Sequence, residues 1–165
     1  MQRTIPTIFL VFAVLFVTAG TSWGQVVEYE DLVQRDGLYY LKSTDVPFTG
    51  KTTGTAQLTF REGIRHGPFA QYYDNGRLEI KGAYINGKRD GPWVFYHENE
   101  QLWVRGALKV GVKDGPWISY YENGQLSYKG NFLNGYRDGP WVFYNNDGMK
   151  HWRSGTYRNG EKISD

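Results

Sequence analysis

Three histidines, His66, His97 and His151, and two glutamates, Glu98 and Glu122, are the side chains here whose types suit proton transfer or metal ligation. Metal sites draw their ligands from His, Cys and acidic residues at short, fixed intervals. The histidines follow no such interval, and the chain has no cysteine to supply a thiolate. Two carboxylates flanking a sugar bond would make a glycosidase. Glu98 and Glu122, however, stand 24 residues apart at the same place in successive copies of a repeat, so turn chemistry accounts for both. No phosphate loop or His-Glu-x-x-His helix is present. The expectation is a protein with no enzymatic activity, no cofactor and no metal, whose work is binding.

Two periodic rows are the binding candidates. Tyr72, Tyr96, Tyr120 and Tyr144 recur every 24 residues beside Lys81, Arg105 and Lys129, with Trp103 as an extra ring in one copy. An aromatic stripe flanked by cations suits a partner strand, a glycan or a lipid headgroup. The second row, Arg65, Arg89, Lys113 and Arg137, runs beside Asp90, Asp114 and Asp138. It reads as a solvated turn ladder in which each Asp offsets a neighbouring cation.

The spacing that aligns these rows also specifies the elements that carry them. Gly67-Pro68-Phe69, Gly91-Pro92-Trp93, Gly115-Pro116-Trp117 and Gly139-Pro140-Trp141 share the interval, as do Gly82, Gly106 and Gly130. Each copy predicts a hairpin, for example Pro92 to His97 followed by Leu102 to Leu108. Asp74-Asn75-Gly76, Glu122-Asn123-Gly124 and Asn146-Asp147-Gly148 then form type I′ tips, and Glu98-Asn99-Glu100 a looser one. On that parity Tyr73 opposes Leu78, Phe69 opposes Gly82, Trp93 opposes Gly106, and Trp117 opposes Gly130. One face buries Trp93, Phe95, Leu102, Val104 and Leu108; the other carries the tyrosines, the cations and Trp103. A lone hairpin cannot bury its apolar side, so the hairpins must stack. The predicted fold is all-β, an elongated twisted antiparallel sheet of stacked hairpins. Its units fall at about 67–90, 91–114, 115–138 and 139–163 within an array spanning 52–165, with a cap segment at 25–51.

The run Gly115-Pro116-Trp117, Tyr120-Tyr121-Glu122-Asn123-Gly124, Leu126, Gly130, Asn134-Gly135-Tyr136-Arg137-Asp138-Gly139 resembles the MORN repeat. It is most similar to the variant form found in bacterial proteins of the YwqK-type antitoxin family, and Pro47-Phe48-Thr49-Gly50-Lys51 resembles the leader unit of that family. The resemblance implies a stacked hairpin array that serves as an adaptor, an oligomerisation module or a membrane-lipid contact. The antitoxin label implies neutralisation of a toxin.

The N-terminus qualifies that label. Met1-Gln2-Arg3 is a basic start, Ile5 to Ala19 is an uncharged apolar run of about 15 residues, and Ser22-Trp23-Gly24 offers small residues around a cut before Gln25. The run falls short of the roughly 20 residues of a membrane-spanning helix. The expectation over 1–24 is a helical signal peptide, and for the protein a periplasmic or extracellular location. An antitoxin so placed needs a toxin that is secreted or acts in the envelope. The formal net charge of +2 gives no reason to expect nucleic acid. A protein partner, a toxin or envelope protein, is therefore expected first, an anionic membrane surface or envelope polysaccharide second. Open sheet ends also favour a homo-oligomer.

Overall fold

The computed structural model describes residues 24–165. The signal peptide expected over residues 1–24, and its helix, lie outside the described residues apart from Gly24. In chain order the strands are β1 (Gln25–Glu28), β2 (Leu32–Arg35), β3 (Leu38–Leu41), β4 (Gly50–Thr53), β5 (Ala56–Arg61), β6 (Ile64–Tyr72), β7 (Leu78–Ile85), β8 (Lys88–Arg89), β9 (Gly91–Tyr96), β10 (Leu102–Lys109), β11 (Val112–Lys113), β12 (Gly115–Tyr120), β13 (Leu126–Leu133), β14 (Tyr136–Phe143), β15 (Gly155–Arg158) and β16 (Glu161–Ser164). One sheet runs in the order β1-β4-β5-β6-β7-β9-β10-β12-β13-β14-β15-β16, with β8 on β7 and β11 on β10. Strands β2 and β3 form a separate hairpin around the Asp36-Gly37 turn. The sheet is not wholly antiparallel: β1 pairs with β4 in parallel and closes the N-terminal end. Among the described residues no helix is long and apolar enough to cross a membrane.

The registers Phe69↔Gly82, Trp93↔Gly106 and Trp117↔Gly130 form as expected. The ring that covers each glycine comes from the following hairpin instead. A Cβ on Gly82 would lie 2.4 Å from the Trp93 ring, and one on Gly106 or Gly130 would lie 2.1 Å from Trp117 or Trp141. Each indole thus spans the junction between units, which turns separate hairpins into one core. Trp93 and Trp141 are almost wholly buried, and Phe69, Tyr84, Leu108 and Trp117 are buried with them. The rings meet edge to face where they touch Tyr84 or Phe132, the arrangement the ring quadrupole favours. Trp117 Nε1 donates to the Ala107 carbonyl at 3.1 Å, and Trp141 Nε1 to Asn131 at 2.9 Å.

The hairpin tips differ from the expected type I′ form. Gly76 N donates to Tyr73 O, Tyr73 N donates to Arg77 O, and only Gly76 of the three loop residues has positive φ. This is a type I turn closed by a left-handed third residue. Asn75 Oδ1 holds it by accepting the Arg77 amide at 2.9 Å, and Asn99, Asn123 and Asp147 repeat the contact. The second tip is not looser. It makes the same bonds, with Glu100 forced to φ 67° where the other tips have glycine.

A three-residue loop changes the parity, and a bulge restores it. Tyr72, not Tyr73, pairs with Leu78; Tyr96 pairs with Leu102, and Tyr120 with Leu126. Glu79, Trp103 and Ser127 are the extra residues. Leu102 therefore leaves the indole face for the tyrosine face. Phe95, Val104 and Leu108 stay where the sequence predicts.

Candidate functional site

The two faces of the sheet have different chemistry. Along β9, β12 and β14, a proline precedes each indole and a β-branched residue follows it, so Pro92, Val94, Pro116, Ile118, Pro140 and Val142 share the face opposite the rings. A groove of about 780 Å³ runs across them. Among the described residues its charged lining is Arg105 and Lys129, with no acidic residue. Lys81 continues the row beside Pro68, Ala70, Tyr72 and Leu78, where Lys51 joins it. The register sets this row: Lys81 pairs with Val94 of the next hairpin, Arg105 with Ile118, and Lys129 with Val142. All three are exposed, and none enters a salt bridge among the described residues.

The tyrosines lie on the same face but are half-buried rather than an exposed stripe. Their carbonyls hold the array together. Tyr73 Oη donates to Tyr96 O at 2.6 Å, and Tyr121 Oη to Tyr144 O at 2.8 Å. His97 Nε2 stands 3.0 Å from Tyr120 O, so His97 fills a structural place that tyrosine fills in the adjoining units.

Trp103 is not on the tyrosine face. The bulge turns it toward the indole side, where its ring lies 6.3 Å from Phe95 and 5.8 Å from His97. It remains 48% exposed beside a hollow that His97, Ser119, Tyr121 and Ser127 also line.

The second periodic row also departs from expectation. Its cations are not offset by the neighbouring aspartates. Arg89 stacks 4.6 Å from the centre of the Trp93 ring, Lys113 4.3 Å from Trp117, and Arg137 5.2 Å from Trp141. Arg65, where the array starts, stacks on Tyr39 and Tyr84 and hydrogen-bonds the Tyr39 hydroxyl. Contacts of this kind contribute about 0.5–2 kcal/mol each, the least where the cation is exposed, as Arg89 is. Burial, with Arg137 beside it, holds the Lys113 ammonium below the usual lysine range. The aspartates serve the backbone: Asp90 accepts the Val110 amide at 2.8 Å, and Asp114 the Asn134 amide at 3.2 Å. Both bonds tie one inter-unit turn to the next. Sequence reading finds this row but assigns it the wrong partners, because the rings lie four residues and the amides twenty residues further along the chain. Among the described residues no three His, Cys, Asp or Glu side chains gather as a metal site needs.

Known proteins bear on this geometry to different degrees. No curated protein matches the chain. Among solved structures it is similar, at 10% identity and a TM-score of 0.24 over 73% of its length, to a chain in the crystal structure of a GtfA/B complex bound to UDP and GlcNAc. It spans 22% of that chain, and a likeness so slight carries no weight for fold or function. The family model for the MORN repeat variant matches residues 65–86, 89–106 and 113–134, the stretch in which cation, indole and glycine recur. The model thus finds three MORN-variant repeats in the hairpins between β6 and β13, and repeats of that kind suggest a repeat-type binding module.

Proposed function

We propose that the protein is an exported, non-enzymatic adaptor that holds a partner protein against its proline face. The observation that carries this reading is the apolar groove between Pro92 and Val142, whose charges among the described residues are the cations Arg105 and Lys129. An open apolar surface on a rigid scaffold with a single sign of charge is the composition of a partner site rather than of solvated sheet. The resemblance to the YwqK-type antitoxins suggests what that partner does: it is a secreted or envelope-acting toxin, which this protein neutralises. A gene for such a toxin beside this one would support that assignment.

The test is site-specific photocrosslinking in the native envelope. A crosslinker at Ile118 should capture one dominant protein, and Tyr96→Ala with Tyr120→Ala should lower the yield. Equal capture from a position on the indole face, such as Trp103, would refute the assignment of the surface. The anionic membrane or polysaccharide reading uses the same tyrosines with Lys81, Arg105 and Lys129. It predicts co-sedimentation with anionic liposomes or cell wall that fades as salt rises.

A further inference from the structure

We infer that the proline-face groove takes an acidic, proline-rich segment in the polyproline II conformation, with a carboxylate at every third residue. This rests on the reading that the face binds a partner protein, and it names the chemistry of the segment bound.

The pitch of the groove selects the ligand. Lys81, Arg105 and Lys129 lie on β7, β10 and β13, with one strand between each pair. Neighbouring strands sit about 4.8 Å apart, so the cations recur roughly every 9.6 Å across the sheet. A polyproline II chain rises about 3.1 Å per residue with three residues per turn, so every third side chain returns to the same side after about 9.3 Å. A β-strand covers three residues in about 10 Å but points the third side chain to its opposite face. An α-helix returns to one face every seven residues, about 10.5 Å, and overruns the row by about 1 Å at each step. Polyproline II therefore matches both spacing and direction over successive cations.

The lining agrees with this choice. Asn131 apart, the uncharged side chains of the lining, among them Pro92, Pro116, Pro140, Val94, Ile118 and Val142, offer no acceptor to a ligand backbone. A peptide whose amides are largely replaced by proline has few donors to leave unsatisfied there. Its carboxylates meet cations with no competing acid in the groove. Its conformation is largely set before binding, which lowers the entropy cost of docking.

The experiment uses fluorescence anisotropy of labelled twelve-residue peptides on the full chain. The probe is (Glu-Pro-Pro)4. Its composition-matched isomer (Glu-Glu-Pro-Pro-Pro-Pro)2 has the same charge without the pitch, and (Lys-Pro-Pro)4 reverses the charge. The probe should bind about tenfold more tightly than the isomer, a difference of ~1.4 kcal/mol. Arg105→Glu should cost a similar factor, and raised salt should weaken binding. The Arg105 side chain is exposed, so the variant should keep its circular dichroism, and Lys129→Glu gives an independent check. Equal affinities for probe and isomer, comparable binding of (Lys-Pro-Pro)4, or no binding of the probe would each overturn the inference. If the probe fails while Tyr96→Ala with Tyr120→Ala still lowers capture of the envelope partner, only this inference falls. If that variant captures its partner normally, the partner-binding reading itself falls.

Discussion

Replacing Gly106 by alanine tests the central claim about this fold, that each indole rests on the glycine of the preceding hairpin. In an ordinary strand the exchange would stabilise by about 0.5–1 kcal/mol, because glycine loses more backbone freedom on folding. Here the new Cβ would stand 2.1 Å from Cδ2 and 2.2 Å from Cε2 of Trp117, inside any tolerable contact. The indole is 4% exposed and is hydrogen-bonded through Nε1 to Ala107 O, so it cannot slide away freely. Forcing bulk into a packed core costs typically 1–3 kcal/mol. Full expulsion of the ring sets the ceiling: about 200 Å² at ~25 cal/mol/Å² is roughly 5 kcal/mol. The expected net loss is about 2–4 kcal/mol, or a Tm about 5–15 °C lower. Urea and thermal unfolding followed by circular dichroism measure it. A second variant separates steric clash from general weakening. Trp117→Val removes the ring, so in the double variant the new methyl group has room. The double variant should then lose at least about 1.5 kcal/mol less than the two single losses added together, a coupling typical of residues in contact. A neutral or stabilising Gly106→Ala, or strict additivity with Trp117→Val, would refute the interlocking of units.

Other outcomes follow from the tips and the turn edge. Glu100→Gly should stabilise by about 1 kcal/mol, since a left-handed non-glycine residue costs about 1–2 kcal/mol; its exposed 3.7 Å contact with Arg77 returns little of that, and an unchanged denaturation midpoint would contradict the turn geometry. Asp114→Ala should cost about 1 kcal/mol by orphaning the Asn134 amide, and should raise hydrogen exchange in the Asn134-Gly135 turn above that of other turns. Lys113 should titrate below its ordinary value by NMR, and Arg137→Gln should move it upward. Its unfolded form holds the proton to higher pH, so this residue makes stability rise as pH climbs through the interval between the lowered value and the ordinary 10.5. Titration at or above the ordinary lysine value would mean that the contact with the Trp117 ring outweighs burial.

The parts of the fold that were legible in sequence are those fixed by residues with few alternatives. The common interval of Gly-Pro-Trp and the strand glycines is enough to pair Trp93 with Gly106. Loop parity was not legible, because Asp-Asn-Gly suits both a two-residue type I′ turn and a three-residue turn with glycine last. The bond from Asn75 Oδ1 to the Arg77 amide accompanies the longer loop and leaves no mark on hydrophobic pattern. That one-residue difference moves Leu102 and Trp103 to opposite faces from those expected. It leaves Lys81, Arg105 and Lys129 on their expected face, because they lie beyond the bulge on the glycine side. The turn-edge charges mislead for another reason. Arg-Asp neighbours in sequence suggest a pair, but the partner that removes more ring or amide from solvent sits four or twenty residues away. The parallel pairing of β1 with β4 has no local signature.

Fold and groove have one cause. Between units the ladder is short: β7 meets β9 only at Ile80↔Phe95 and Lys81↔Val94, and β10 meets β12 only at Val104↔Ser119 and Arg105↔Ile118. It stops where the next indole lies over the glycine. A strand that parts from its neighbour would normally leave an amide donor without a partner, at a cost of about 1–3 kcal/mol. In β9 and β12 the residue beside that opening is Pro92 or Pro116, which has no amide hydrogen to lose. Each Gly-Pro-Trp therefore works as a unit: the glycine turns the chain at positive φ, the proline lets the ladder open without an orphaned donor, and the indole fills the opening from one side. From the other side the same opening is floor for the groove, where Gly106 and Gly130 lie beneath the prolines. The spacing of the groove is thus two strands because the indoles enter alternate inter-strand gaps. Substituting its surface side chains can change what it holds but not the interval at which it holds it.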